Sequence, residues 1–356
     1  MKNIYRFVSV LSMLYVTHAA AVAQPEGYLR VQQKVNLNDK HLSKKCDAPS
    51  PYRGDLVFRS RYEGSGKARD QVNLKATQAY ENQSQSITDF QKFVAKKVDL
   101  IVARGRGKAT MNCLLSNLDD WAENSDLLRP TDNHTGKAVR KWTLASVSSS
   151  LLKIDQLASD YDSKKYTKVK TWVGQMADQV VIDYSDRPLK KINNHDYWAA
   201  WGVITTAALL NREDLYVWSR NVFNTAMGQV DSEGFLANEL RRASRAAMYH
   251  NYAVTPLVGI AAFLKVNGDD PASYHEDALD RLVNTVVVGV TNPKVFRQKT
   301  GVSQIDYDYL KNGRMSWLAI YPDVSPNTSN ADLVMLKKNA KPLASTRMGG
   351  DLTIIY

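Results

Sequence analysis

The sequence predicts an all-α fold of stacked antiparallel helix pairs, a helical toroid or bundle, and three observations predict it. From about residue 70 to residue 290, apolar residues recur every three or four positions. The periodic stretches end at turn-rich breaks: Pro130-Thr131-Asp132-Asn133, Ser185-Asp186-Arg187-Pro188, Asp231-Ser232-Glu233-Gly234 and Asn267-Gly268-Asp269-Asp270. Strand-like alternation is scarce and falls mainly at 352–356. Long helices joined by short polar links bury their apolar stripes most simply against one another.

Taken in order, residues 1–23 read as a secretory leader. Lys2 and Arg6 supply a positive start, and an apolar run follows from Phe7 to Val16 that is too short to span a bilayer. Ala21-Val22-Ala23 has the small-x-small pattern of a cleavage site, which places the expected mature start at Gln24. The alternative is an N-terminal helix or anchor, but no longer apolar segment follows. The expectation is export to a bacterial periplasm, with no membrane insertion after cleavage. Residues 24–356 are read as a single domain. Residues 24–60, interrupted by Pro49, Pro51 and Gly54, read as an extended arm with little regular structure. The Gly-Ser-Gly of residues 64–66 marks a mobile loop around 59–70. Helices are expected at 72–98, 114–128, 137–160, 164–183, 195–210, 214–227, 239–265 and 275–290.

Composition bounds the class. The chain has 356 residues, 44% hydrophobic and 23% charged, which fits a globular protein rather than a disordered one. Its formal net charge is +11, falling to +9 without Lys2 and Arg6. A basic exported protein has two natural partners, anionic glycans and anionic membrane surfaces, and nucleic acid is poorly placed as a partner there. Export also changes the reading of Cys46 and Cys113. In an oxidising compartment they are expected to pair as a disulfide, the alternative being two buried thiols.

Two segments carry the chemistry. In the second, Arg242 and Arg245 precede Tyr249 by seven and four residues, so all three share a face if the helix is continuous. Nearby guanidinium charge stabilises a phenolate, so the Tyr249 pKa is expected to fall from about 10. The bland alternative is a basic helix with a buried tyrosine. In the first segment, Asn193-Asn194-His195-Asp196-Tyr197-Trp198 opens a helix that either asparagine can cap. The positive end of that helix favours a carboxylate. His195 and Trp198 share a face, and an indole offers a flat surface for a sugar ring. Against this stand a structural histidine and a core tryptophan. No HExxH, cysteine-rich zinc pattern or GxSxG elbow occurs, and Gly105-Arg106-Gly107-Lys108 lacks phosphate-loop spacing, so no metal or cofactor is expected.

Asn193-Asn194-His195-Asp196-Tyr197-Trp198-Ala199-Ala200-Trp201 resembles the signature of the periplasmic alginate lyases of polysaccharide lyase family 5. So do residues 229–235, Asn238-Glu239-Leu240-Arg241-Arg242 and Tyr249-His250-Asn251-Tyr252, with support from residues 60–65, 140–146 and 345–353. The resemblance spans most of the mature chain. It implies an incomplete (α/α) toroid with a deep cleft, acting as a monomer that cuts polymannuronate by β-elimination without a cofactor. It further implies that Asn194 and His195 face the uronate carboxylate, that Arg242 helps neutralise it and that Tyr249 transfers the proton. Trp198, Arg245, His250 and Arg347 would contact substrate, and Arg61 and Tyr62 would belong to a loop closing over the cleft.

Either Tyr249 alone shuttles the proton, or His195 is the base and Tyr249 the acid. Some lyases resembling this family also accept polyglucuronate or hyaluronan. The competing readings are a glycoside hydrolase, with carboxylates drawn from Asp119, Asp120, Asp231 and Glu233, and a non-catalytic binder of an anionic glycan.

Overall fold

The structure, a computed structural model, describes residues 21–37, 46–104 and 107–356. The expected leader therefore lies outside the described residues up to position 20. Val22 and Ala23, on the leader side of the expected cleavage point, are packed: their amides donate to Oδ1 of Asn211 and of Asn267, each at 2.8 Å.

The fold is all-α, with one main apolar core that runs from Val22 to Ile355. α1 (Glu26–Gln33) interrupts the arm that was expected to be irregular. Tyr28 is buried, and the Gln32 amide donates to the Leu152 carbonyl at 3.0 Å. The other described residues of the arm, 34–37 and 46–60, form no regular element, and the Cys46–Cys113 disulfide ties the arm to the helix Lys108–Glu123 as expected. α2 (Leu74–Arg104) and α3 (Lys108–Glu123) pack together. α3 begins earlier and ends earlier than its apolar spacing suggests, because Ser125 and Leu127 take positive φ and turn the chain.

The helix expected at 137–160 is two helices, α4 (His134–Leu151) and α5 (Asp155–Tyr161), separated by a turn at 152–154. α6 (Ser163–Tyr184), α7 (Asn194–Leu210) and α8 (Glu213–Gly228) follow. α4 and α7 are the central pair. Gly202 allows their close approach, since a Cβ there would sit 3.0 Å from the Ala145 amide nitrogen. α7 also packs on α6, α8 and the later helix Ala246–Val266.

The continuous helix expected at 239–265 does not form. α9 (Ala237–Leu240) stops, Ala243 takes φ 47°, a short 3-10 turn covers Ala243–Arg245, and α10 (Ala246–Val266) begins only then. Further on, His275, Glu276 and Asp277 all have positive φ, so α11 (Ala278–Thr291) starts late. α12 (Lys294–Thr300), α13 (Tyr321–Val324) and α14 (Ala331–Asn339) complete the helices. β1 (Ala344–Ser345) and β2 (Gly350–Asp351) form an antiparallel pair, whereas the expected strand at 352–356 is a 3-10 turn, Leu352–Ile354. Among the described residues, no helix is long and apolar enough to cross a membrane.

Candidate active site

The site assembles on the N-terminus of α7. Asn193 is the cap. Its Oδ1 accepts from the His195 amide at 2.9 Å, and Asp196 Oδ2 returns the bond to the Asn193 amide at 2.9 Å. Capping by Asn193 leaves Asn194 and His195 in the first turn, free to serve the site. Asn194 is buried against Glu239: its backbone amide donates to Oε1 at 2.7 Å, and its Nδ2 lies 3.0 Å from both carboxylate oxygens. Burial pushes the Glu239 carboxyl up to about 7, against the pull of the Asn194 hydrogen bonds and Arg242.

His195 rests on Lys141 of α4. Lys141 Nζ lies 2.6 Å from His195 Nδ1 and donates to the His195 carbonyl at 3.0 Å. Burial, and then the Lys141 charge, hold the imidazole well below its ordinary pKa, so His195 is neutral. His134, the first residue of α4, places its ring 4.7 Å from that of His195, and Trp142 lies 6.1 Å away. Among the described residues His195 Nε2 makes no protein hydrogen bond.

Arg242 and Tyr249 do meet, although not through one helical face. The 3-10 turn folds the arginine back over the first turn of α10. Its Nη2 donates to the Tyr249 hydroxyl at 2.9 Å, and its guanidinium sits 3.9 Å from that ring. The expected fall in the Tyr249 pKa is not what this environment produces. Burial dominates and holds the phenol well above 10, with Arg242 pulling the other way. Tyr249 is thus a neutral phenol, donating to the Tyr62 hydroxyl at 2.9 Å.

Tyr62 comes from the 59–70 loop, which lies over this segment. The Arg242 guanidinium covers the Tyr62 ring at 4.8 Å and also donates to the Arg69 carbonyl. Arg245 Nε donates to the Asp70 carbonyl at 2.7 Å, and Ser244 Oγ to Asp70 Oδ2 at 2.9 Å. Arg245, expected at substrate, therefore pins the loop. Arg61 is exposed, and its carbonyl accepts from the Asn73 amide.

Two further expectations are corrected. Trp198 is 2% exposed, packs on Tyr252 and donates to its carbonyl at 3.2 Å, so it presents no free face to a sugar. It points one turn deeper than His195 into the α4–α7–α10 core. The indole beside the site is the half-buried Trp142, with the Arg347 guanidinium 3.9 Å above its ring. His250 is fully buried and both its nitrogens serve backbone: Nδ1 donates to the Ala246 carbonyl at 2.8 Å, and Nε2 accepts from the Leu236 amide at 2.9 Å. It braces the 236–246 turn, with neither ring nitrogen left over for another partner.

Arg347 does reach the site, donating to the Tyr252 hydroxyl at 2.5 Å. Lys141, Trp142, Glu239 and Tyr252 are the residues that sequence reasoning left without roles. They lie in segments that carry the resemblance, but their decisive contacts, with His195, Arg347, Asn194 and Trp198, join distant parts of the chain. Of the carboxylates weighed for a hydrolase, Asp119 pairs with Lys168 at 2.8 Å, Glu233 with Lys299 and Asp231 with the amides of its own loop, while Asp120 is exposed on α3. Among the described residues, no group of three or more metal-ligating side chains comes together.

A neutral imidazole, an amide, a guanidinium and a phenol thus converge where an anionic sugar can be bound and a proton moved. The sequence matches the family described as alginate lyase over residues 57–296. An alginate lyase of Cobetia marina is 39% identical over 342 residues, covering 95% of this chain and 90% of its own. One from Pseudomonas syringae pv. syringae is 40% identical over 352 residues, covering 97% and 91%. In fold, the chain resembles alginate lyase A1-III, solved as a tyrosine-to-phenylalanine variant complexed with tetrasaccharide. The TM-score is 0.77 at 23% identity, with 94% of this chain and 97% of that chain covered. The unsubstituted A1-III enzyme from Sphingomonas species A1 gives a TM-score of 0.75. The chain therefore belongs to the alginate lyase family, polysaccharide lyase family 5, and has its (α/α) toroid fold.

Proposed function

We propose that this protein is an exported, endo-acting lyase that cuts poly-β-D-mannuronate by β-elimination, leaving a C4=C5 unsaturated uronate at each new non-reducing end. The observation that carries the reading is Tyr249, a phenol held at 2.9 Å by Arg242 and at 2.9 Å by Tyr62, with Asn194 and His195 supplying the carboxylate-binding side. The C5 proton is weakly acidic beside an ionised carboxylate. Hydrogen bonds and positive charge directed at that carboxylate stabilise the enolate-like charge that develops. In mannuronate the C5 proton and the C4 leaving oxygen lie on the same side, so one tyrosine oxygen can serve both. Tyr249, in the minor fraction of molecules that has lost its proton to solvent, takes the C5 proton as phenolate and then delivers it to the departing oxygen. Arg242 is the group that stabilises the phenolate. Export is supported by the leader pattern of residues 1–23 and the net positive charge.

The experiment is incubation with polymannuronate, polyguluronate, polyglucuronate and hyaluronan, read by the ultraviolet absorbance of an unsaturated uronate and by chain length. The expected result is rapid shortening of polymannuronate with a matching rise in absorbance. Shortening without new absorbance would mean hydrolysis. Equal rates on polyglucuronate would replace the mannuronate reading with a broad one.

A further inference from the structure

We infer that Lys141 fixes the tautomer of His195: its amine donates to Nδ1 and keeps the ring proton on Nε2, so that His195 meets the uronate carboxylate as a hydrogen-bond donor and cannot be the base for C5. The inference deepens the proposed elimination and rests on it for the identity of the ligand.

Lys141 Nζ touches the same residue twice, at Nδ1 and at the carbonyl oxygen. A carbonyl oxygen only accepts, so one N–H of Lys141 is committed to it, and the amine is already oriented as a donor toward His195. Two ring faces beside the lysine favour a cation. Nζ lies 4.6 Å from the Tyr184 ring centroid and 5.3 Å from that of Trp142, and such faces attract an ammonium rather than a neutral amine. Burial holds the Lys141 amine well below its ordinary pKa, with the buried Asp196 carboxylate, itself tied to Arg187 at 2.5 Å, pulling the other way and Arg187 and Arg347 adding to the fall. Protonated or neutral, the amine keeps an N–H for Nδ1 once one is spent on the carbonyl. Among the described residues Lys141 forms no direct ion pair, which leaves Nδ1 as its strongest acceptor.

The competing arrangement is a neutral lysine accepting Nδ1–H. It would put no cation between the two ring faces, and it would leave Nε2 as an unprotonated base. With the proton on Nε2, the balance of the reaction is closed by Tyr249 alone. The C5–H electron pair becomes the C4=C5 bond, and the C4–O pair leaves with the oxygen. The proton passes from C5 to the tyrosine oxygen and on to the leaving group, and His195 exchanges none. Lys141 is thus a positioning residue that acts through His195.

The test is 15N NMR of histidine-labelled protein without substrate, with the His195 signals identified by their loss in His195→Gln. A protonated Nε2 and an unprotonated Nδ1 are expected. A ring protonated at Nδ1, alone or together with Nε2, overturns the inference. In Lys141→Met the tautomer preference should be lost and kcat/KM on polymannuronate should fall by about 100-fold, the scale of one missing donor to a developing oxyanion. An unchanged tautomer in that variant overturns the role of Lys141. If Lys141→Met does not fold, the spectrum of the unsubstituted protein decides alone. The spectrum needs no substrate, so a protein that cuts no polyuronate would sink the lyase reading and leave the tautomer result standing.

Discussion

Helix α4 and the turn after it carry two fully buried lysines that are used in opposite ways. Lys153 is matched with a charge: Asp99 of α2 lies 2.8 Å from its Nζ, and the Asp351 carbonyl of β2 accepts at 3.0 Å. That pair joins the start, the middle and the end of the chain. Lys141 is matched instead with an imidazole and a carbonyl of α7. A buried cation given a carboxylate serves the fold. One denied a direct carboxylate directs its field onto whatever accepts its proton, here the residue that faces the substrate. The two lysines thus separate stability from chemistry, and mutation can test whether that separation is real.

The largest effect belongs to the chemical end. Tyr249→Phe should lower kcat on polymannuronate by about 1,000-fold or more while oligosaccharide binding is retained. Turnover that survives this change, measured by the absorbance assay, would break the comparison at its root.

A pH profile sharpens it. Burial holds the Tyr249 phenol well above 10 against Arg242, with Tyr62 and Glu239 also raising it. A phenolate base therefore makes kcat/KM rise steadily from neutral into alkaline pH. His195 is held well below 6.5 by burial, Lys141, His134, Arg187 and Arg242. Were it the base, the rate would already be level above pH 7, so a flat profile from 7 to 9 argues for His195.

At the structural end, Lys153→Met leaves the Asp99 carboxylate without its cation. Removing one partner of a buried pair costs about 3–5 kcal/mol. Chemical denaturation should show that loss, with turnover per folded molecule unchanged within about twofold. A large fall in turnover with normal stability would place Lys153 in the chemistry and erase the contrast.

The smallest effect concerns a buried group kept neutral. The His250 pKa is lowered from 6.5 to about 4, mainly by burial. Between those values the unfolded chain binds the proton and the folded protein does not. The stabilisation is therefore full above about pH 6.5 and is lost as pH falls through about 4, amounting to about 3 kcal/mol. Unfolding free energies at pH 7 and pH 4.5 should differ more in the unsubstituted protein than in His250→Gln. Equal differences would remove His250 from the acid sensitivity of the fold.

Much of the architecture was legible from apolar spacing, and its failures have one cause. Periodicity reports which face of a segment is apolar, not where the backbone turns. The breaks at 152–154 and 241–245 contain neither glycine nor proline, and Ala243 adopts positive φ because surrounding contacts hold it there. The same limit applies to side chains. Trp198 and Trp142 are both tryptophans in polar, aromatic surroundings, and only packing shows that the first is core and the second borders the site.

The sequence by itself determined the helical class, the Cys46–Cys113 pairing and the residue types at the first turn of α7 and around Tyr249. Those depend on local patterns, cysteine chemistry and motifs carried by contiguous residues. Tertiary structure decided which of these groups touch, and in what protonation state. Arg242 reaches Tyr249 through a broken helix, Lys141 arrives beneath His195 from 54 residues away, and burial raises the phenol that a neighbouring guanidinium alone would lower. Desolvation and long-range contact arise only once the chain has closed around the site.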